Sequence, residues 1–168
     1  AEILELASPF RQTLSPEEIA ADDDPAAVVL DCSTRERVGG LGEVLDAVPV
    51  AVIDHHASGS PFGDIRYIDV QAPSVTYMIQ KIIEEYGHTP TAEEADTLLF
   101  GLATDTGFFR HLGKGSAAVL HSAARLVEAG ASPSRVHGLM YGGRPLESRT
   151  LLGRLLARTK GHFGGKLL

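Results

Sequence analysis

Two short apolar runs, each ending in an aspartate, predict neighbouring β-strands. They span Ala26–Asp31 (AAVVLD) and Val48–Asp54 (VPVAVID). Both are continuously apolar, which is typical of parallel strands covered on both faces. A weaker run, Ile65–Val70, predicts a third strand, and Thr34–Ala47 predicts a crossover with a short helix weakened by its glycines. The pattern indicates a twisted, mainly parallel sheet.

The residues that follow show helical spacing. After Ser74, apolar side chains recur on one helical face before Gly87, which is suited to ending a helix: Val75, Met78, Ile79, Ile82 and Ile83. Thr91 and Glu94 have the spacing of a capping box, which predicts a helix running to Asp105. Its apolar face is Leu98, Leu99, Leu102 and Ala103. The fold class predicted is therefore α/β, a mainly parallel sheet flanked by helices.

Further helix signals continue toward the end of the chain. Ser116 is placed to cap a helix running to Glu128. Ser132 followed by Pro133 marks the start of another, with proline at the first helical position. The segment Arg149–Lys160 predicts a last, amphipathic helix.

Composition narrows the functional classes. The chain has 168 residues, enough for one ordinary domain with a substantial core. It has no apolar run of the roughly 18 residues that span a bilayer, and its first residues do not show the pattern of an export leader, so we expect a cytoplasmic protein without membrane contact. Its single cysteine, Cys32, cannot form an internal disulfide or a thiolate zinc site. A net charge of −7 argues against sequence-independent binding of long nucleic-acid duplexes. It does not argue against a small phosphorylated ligand whose charge a bound metal neutralises.

Acidic and imidazole side chains follow the first two predicted strands. Asp31 ends one strand, and Asp54, His55 and His56 end the next. Ligands of open parallel sheets collect at these carboxyl ends. Oxygen and imidazole donors without sulfur suit magnesium, iron, cobalt and, most naturally, manganese. From residue types alone, a capping aspartate and a polar His-His loop remain open alternatives.

Three segments resemble successive motifs of the DHH phosphoesterase family. They are Val28–Ser33 (VVLDCS), Val52–His56 (VIDHH) and Gly101–Arg110 (GLATDTGFFR). Their order and spacing are similar to the family pattern, and the resemblance extends over about Ala26–Lys160. It is strongest to the subgroup of oligoribonucleases that also dephosphorylate 3′-phosphoadenosine 5′-phosphate. The resemblance implies a Rossmann-like lobe of the same α/β class.

The resemblance implies a role for each residue of these motifs. Asp31 would bridge two metal ions, and His55 and Asp105 would complete the shell of the second ion. Asp54 would orient a histidine, which fixes its tautomer. His56 would contact the scissile phosphate or protonate the leaving oxygen. The ions expected are two Mn²⁺, with Mg²⁺ or Co²⁺ as alternatives, and they would activate a water for in-line attack.

The turn after Asp105 carries two further candidates. Arg110 is a candidate for contacting a substrate phosphate, although a salt bridge or a solvated position is an equal alternative. His111 follows it at the expected rim of the site. We therefore predict Arg110 and His111 as substrate-binding residues.

The chain also departs from the family pattern. Family members carry an earlier Asp-x-Asp motif that supplies ligands to the first metal, and the sequence before Asp31 offers only the acidic run Asp22–Asp24, too close to the first strand. We expect residues 1–160 to form an N-terminally incomplete DHH lobe. Residues 161–168 would be a linker or the start of a second lobe. The expected metal site of this chain is then half assembled.

The function predicted is metal-dependent hydrolysis of phosphate esters in short oligoribonucleotides or 3′,5′-bisphosphorylated nucleosides. The partners expected are short single-stranded RNA or a phosphorylated nucleotide, and the chain is compatible with a homodimer. One alternative is a non-catalytic, nucleotide-sensing domain. Others are single-strand exonuclease, family II pyrophosphatase, exopolyphosphatase and cyclic-dinucleotide phosphodiesterase activities. A Rossmann-like domain with coincidental strand-end acids is disfavoured, because no G-x-G-x-x-G turn follows the first strand.

Overall fold

A computed structural model describes residues 23–143, 145–161 and Gly164. The segment in which the earlier metal motif was sought lies almost wholly outside the described residues. So does most of the expected linker at 161–168.

The described part of the chain contains a three-stranded parallel sheet in the order β1-β2-β3. The strands are β1 (Ala27–Leu30), β2 (Val50–Asp54) and β3 (Ile65–Ile68). Each is shorter than the apolar run that predicted it, but all three predictions and the α/β class are confirmed. The register places the ends of β1 and β2 together, and the backbone N–H of Asp31 donates to Ile53 O at 3.0 Å.

The crossover between β1 and β2 has little regular helix. A 3₁₀ segment covers Arg35–Leu41, and a single turn, α1, covers Gly42–Leu45. Gly39 interrupts the 3₁₀ segment with φ of 61°, a left-handed conformation that glycine adopts without a Cβ penalty. The glycines therefore limit the predicted helix to one turn.

In the part of the chain that the structure describes, five longer helices follow the sheet. They are α2 (Val75–Glu85), α3 (Ala92–Asp105), α4 (Ala117–Glu128), α5 (Pro133–Tyr141) and α6 (Leu146–Arg158). None of the helices in the described ranges is long and apolar enough to cross a membrane.

Capping explains where most of these helices begin. The Ser74 hydroxyl accepts from the backbone N–H of Tyr77, and Ser132 caps α5 in the same way. Thr91 and Glu94 form the predicted capping box at the start of α3. Ser116 stands at the start of α4 but makes no side-chain cap, because its backbone is not extended (φ −79°, ψ 17°). The prediction was right about its position and wrong about its hydrogen bond.

The hydrophobic core lies between α3 and its neighbours α4 and α5. Its buried members are Ala95, Leu98, Leu99, Leu102, Ala103, Val119, Ala123, Leu126, Ala131 and Val136. The predicted apolar face of α3 is therefore the centre of the core. Because Leu102 and Ala103 are fully buried, the C-terminal end of α3, which carries Asp105, is held by packing.

The last helix differs from its prediction. It begins at Leu146 rather than Arg149 and ends at Arg158. Its leucines at 151, 152, 155 and 156 are 51–60% exposed, and α6 contributes no buried residue. The amphipathic pattern thus forms a helix whose apolar face remains open among the described residues.

A polar network inside the core joins α2 to α4. Gln80 is fully buried and donates to Ser122 O at 3.2 Å and to Glu84 Oε1 at 2.8 Å, while the Ser122 hydroxyl donates to Gln80. Arg125 donates to both carboxylate oxygens of Glu84, at 3.0 and 2.8 Å. Helical periodicity predicted the apolar face of α2 but not Gln80, whose burial depends on these partners.

We expect Glu84→Gln to lower the free energy of unfolding at pH 7 by about 1 kcal/mol. The hydrogen bonds from Arg125 outweigh burial and hold the pKa of Glu84 below its ordinary value. A lowered folded-state pKa stabilises the fold above the unfolded pKa and is lost as pH falls through the folded one. Urea unfolding should therefore show the gap between variant and parent closing below about pH 4. A gap that stays constant from pH 7 to 3, or an equal loss in the exposed neighbour variant Glu85→Gln, would contradict this.

Candidate active site

The structure brings three predicted metal ligands together from separate segments. Asp31 follows β1, His55 follows β2, and Asp105 ends α3. The Nε2 atom of His55 lies 3.5 Å from Asp31 Oδ1 and 3.8 Å from Asp105 Oδ2. Asp31, Asp54, His55 and His56 also offer donor atoms that all lie within 4.8 Å of one another. The site is therefore a compact group of carboxylates and imidazoles at the carboxyl ends of the strands.

Asp31 adopts a left-handed backbone conformation, with φ of 60°. Aspartate is one of the few non-glycine residues that enter this region regularly. Its N–H still pairs with β2, so the chain leaves the sheet abruptly after β1. The side chain remains 54% exposed and lies beside both histidines, at 3.5 Å from His55 and 3.7 Å from His56.

Asp54 is the buried anchor of the site and is 0% exposed. Its Oδ1 accepts the backbone N–H of His55 at 2.6 Å, that of His56 at 3.1 Å, and the His56 ring Nδ1 at 2.7 Å. Burial by itself would raise the pKa of Asp54, but hydrogen bonds, led by the one from the His56 ring, lower it to about 2. Asp54 is thus a carboxylate at neutral pH whose donors fix the turn bearing both histidines.

The two imidazole rings are held in different ways. His55 Nδ1 lies 3.2 Å from Ala72 O, so it carries the proton and donates to that carbonyl. Nε2, which faces Asp31 and Asp105, is then the ring nitrogen available to a metal ion. His56 donates its Nδ1 proton to Asp54, and its ring meets that of His55 edge to face, with centroids 4.7 Å apart. The Nε2 atom of His56 is therefore not used by the hydrogen bond that orients the ring.

The surroundings of the Asp105 side chain disfavour its charged form. Burial, and secondly the negative charge of Asp31, raise the pKa of Asp105, and His55 and His56 offset this only in part. A cation between the two carboxylates would remove the repulsion. Donor atoms about 2.1 Å from a shared ion lie about 3 to 3.5 Å from each other, close to the separations of His55 Nε2 from Asp31 and Asp105. The donor set therefore fits a divalent metal.

The turn after Asp105 is a strained one. Gly107, Phe108 and Phe109 have φ of 58°, 55° and 67° in succession. Such a conformation costs bulky L-residues roughly 1–2 kcal/mol each. A Cβ atom on Gly107 would lie 2.6 Å from His111 Nε2, so a larger residue there would also require the exposed His111 ring to move.

Thr106, which the sequence did not single out, holds this turn. It is 3% exposed, and its hydroxyl donates to Leu102 O at 2.6 Å and accepts from Phe109 N at 3.1 Å. Its carbonyl also accepts from His111 N at 3.0 Å. Its place between the ligand candidate Asp105 and Gly107 was the available signal.

Arg110 and His111 are both exposed and lie together beyond this turn, with Arg110 Nη2 3.3 Å from His111 Nε2. Among the described residues Arg110 forms no ion pair with an acidic side chain. The salt-bridge alternative for Arg110 is therefore not seen there.

Ser33 is a second residue that composition did not single out. It is 8% exposed, and its hydroxyl donates to Ser58 O at 3.0 Å. A Cβ atom on Gly59 would lie 2.5 Å from Ser33 O, so only glycine allows this approach. These contacts tie the loop after β1 to the loop after His56, which keeps Asp31 beside the histidines.

No model of a known protein family matches the chain. A bifunctional oligoribonuclease and PAP phosphatase, NrnA, of Thermus thermophilus is 32% identical over 144 residues, which are 84% of this chain and 42% of that protein. Its namesake in Bacillus subtilis is 29% identical over 85 residues, or 49% of this chain and 27% of that protein. The chain belongs to the DHH phosphoesterase family.

A solved structure supports the fold of this DHH lobe. An exopolyphosphatase-related protein from Bacteroides fragilis superposes with a TM-score of 0.75 at 19% identity, covering 95% of this chain and 46% of that one. The chain thus spans less than half the length of each of these three proteins. At that identity the superposition shows the shared architecture, and the residue roles within it stay predictions.

We expect Asp54→Asn to destabilise the metal-free protein by about 1–3 kcal/mol, because an amide replaces a buried charge that accepts three hydrogen bonds. It should also weaken manganese binding about 10- to 100-fold, since His55 and His56 lose their anchor. Urea unfolding in chelator and a manganese titration measure the two effects. The matched control is Asp69→Asn, because Asp69 Oδ1 accepts only the Gln71 N–H among the described residues. Equal effects of the two substitutions would contradict the anchoring role.

Proposed function

We propose that this DHH lobe belongs to a metal-dependent phosphoesterase acting on short oligoribonucleotides and on 3′,5′-bisphosphorylated nucleosides. The observation that carries the proposal is the placement of His55 Nε2 within 3.8 Å of two carboxylates from different segments, Asp31 and Asp105. Such a set has little use in an unliganded fold, because the carboxylates repel each other.

The relatives support the substrate class. Two of them are named for oligoribonuclease and PAP phosphatase activity. A ribonucleotide phosphodiester and a 3′-phosphate on a nucleoside present the same group to a metal site, a phosphate attached to ribose. The substrates proposed here follow from that shared chemistry.

Asp31, His55 and Asp105 would hold the metal, and manganese matches their mixture of oxygen and imidazole donors. We expect two ions in the complete enzyme, with Mg²⁺ or Co²⁺ as alternatives. When bound, divalent ions lower the pKa of water and neutralise charge on the phosphoryl oxygens. The family resemblance makes Asp31 the candidate for contacting both ions, and its Oδ1 lies 3.5 Å from His55 Nε2.

The remaining residues orient groups and move a proton. Asp54 accepts from His56 Nδ1, which orients the ring and leaves Nε2 outside that hydrogen bond. As an imidazolium, His56 would donate the Nε2 proton to the leaving oxygen. Arg110 and His111 supply donors that would contact the phosphate oxygens of the substrate.

We expect His55→Ala and Asp105→Ala each to lower kcat/KM at least about a hundredfold, because each removes one of the few metal ligands. The assay follows release of nucleotide from a diribonucleotide and from 3′-phosphoadenosine 5′-phosphate by the longest natural form of the protein, in manganese and in chelator. His121→Ala, on the exposed face of α4, is the matched control and should retain activity. If the parent protein binds manganese and nucleotide but hydrolyses neither substrate, the proposal fails and a nucleotide-sensing domain takes its place.

We expect His56→Ala to lower kcat about 10²- to 10⁴-fold while manganese affinity changes much less than in His55→Ala, because His56 acts on the proton and not on the metal. Parallel kinetics and manganese titrations on the two variants measure this difference. Equal losses of manganese affinity in both would instead make His56 a ligand.

A further inference from the structure

An aromatic patch that the proposed chemistry does not use begins three residues after Asp105. It consists of Phe108 from the turn after Asp105 and of His137 and Tyr141 from α5. The ring of Phe108 meets that of His137 edge to face, with centroids 5.2 Å apart, and lies 6.5 Å from that of Tyr141. The His137 and Tyr141 rings are 4.9 Å apart. Phe108 is half-buried, whereas His137 and Tyr141 are exposed.

The strained turn is what places Phe108 in this patch. Its left-handed conformation is maintained by a hydrogen bond from Phe108 N to Ala103 O at 2.6 Å. Bulky residues hold such conformations only where their surroundings impose them, and these positions cluster at functional sites. Packing of the core accounts for burying the inner side of Phe108, but not for two exposed rings next to it.

The patch is close to the proposed metal ligands. Asp105 and Phe108 are three residues apart, so their Cα atoms are separated by at most about 11 Å. Arg110 and His111 leave the same turn, so the donors proposed to meet phosphate stand on the same short segment as Phe108. A ligand that carries both a phosphate and an aromatic ring would match this combination.

We propose that Phe108, His137 and Tyr141 form a stacking surface for a nucleobase of the substrate. The inference rests on the proposed function, since it assigns a binding surface to the base, the part of the nucleotide that the metal site does not contact. Aromatic side chains stack on bases of any identity, and the polar ends of tyrosine and histidine can also donate to base edges. The surface would favour nucleotides over phosphate esters that lack a base.

A binding experiment tests the patch apart from hydrolysis. The probe is a diribonucleotide containing 2-aminopurine, whose fluorescence falls when the base stacks, titrated with the longest natural protein carrying His56→Ala in manganese buffer. We expect quenching, and we expect Tyr141→Leu and His137→Ala each to raise Kd at least about fivefold. Tyr86→Leu is the matched control, because Tyr86 is 88% exposed at the end of α2 and should leave Kd unchanged. Absence of quenching, or a Kd within about twofold of the parent in both patch variants, overturns the proposal.

A kinetic comparison distinguishes stacking from a general structural effect. With His56 intact, kcat/KM is measured for a diribonucleotide and for the same compound without its bases. Tyr141→Leu should lower the first value at least about fivefold, mainly through KM, and leave the second unchanged. An equal loss of kcat/KM on both compounds would mean that Tyr141 has only a structural role, and it would overturn the proposal. If the parent hydrolyses neither compound, the proposed function fails, while the fluorescence titration still decides whether the patch binds a base.

Discussion

The site depends first on one buried carboxylate. Asp54 ends the central strand with no exposed surface and accepts three hydrogen bonds from the two residues that follow it. A charge removed from water is tolerated only when donors replace the lost hydration, so the backbone must turn to bring these N–H groups inward. That turn is what places His55 and His56 at the end of the sheet. The proposed ligand and the proposed proton donor therefore share one anchor.

The third carboxylate of the site is positioned by a helix and not by a strand end. Asp105 belongs to a helix whose inner face is the centre of the hydrophobic core, and its charge lies in surroundings that disfavour it. Packing of the core supplies the free energy that keeps Asp105 in these surroundings, and a bound cation would offset the repulsion between its charge and that of Asp31. Stability is thus concentrated in the helices, while strain is concentrated in the turns after β1 and α3, where Asp31 and Phe108 have left-handed backbones.

Most elements could be predicted because their signals are local. Continuous apolar runs predicted all three strands, and the capping box at Thr91 marked the start of α3 to the residue. The errors occurred where a local signal did not decide the outcome. Ser116 occupies a cap position without capping, and α6 begins before its predicted start, because a helix end depends on backbone geometry that residue type does not specify.

By itself the sequence determined the α/β class, the residue types of the site and the strand ends that carry them. These features follow from side-chain periodicity and from residues adjacent in the chain, which are local properties. Only the tertiary structure decided that Asp105 Oδ2 lies 3.8 Å from His55 Nε2, although the residues are 50 positions apart, that Ala72 O accepts from the His55 ring, and that Gln80 is buried. Such contacts join segments far apart in sequence, and their geometry follows from the packing of the whole domain. The aromatic patch is of the same kind, since nothing in the local pattern places Phe108 against α5.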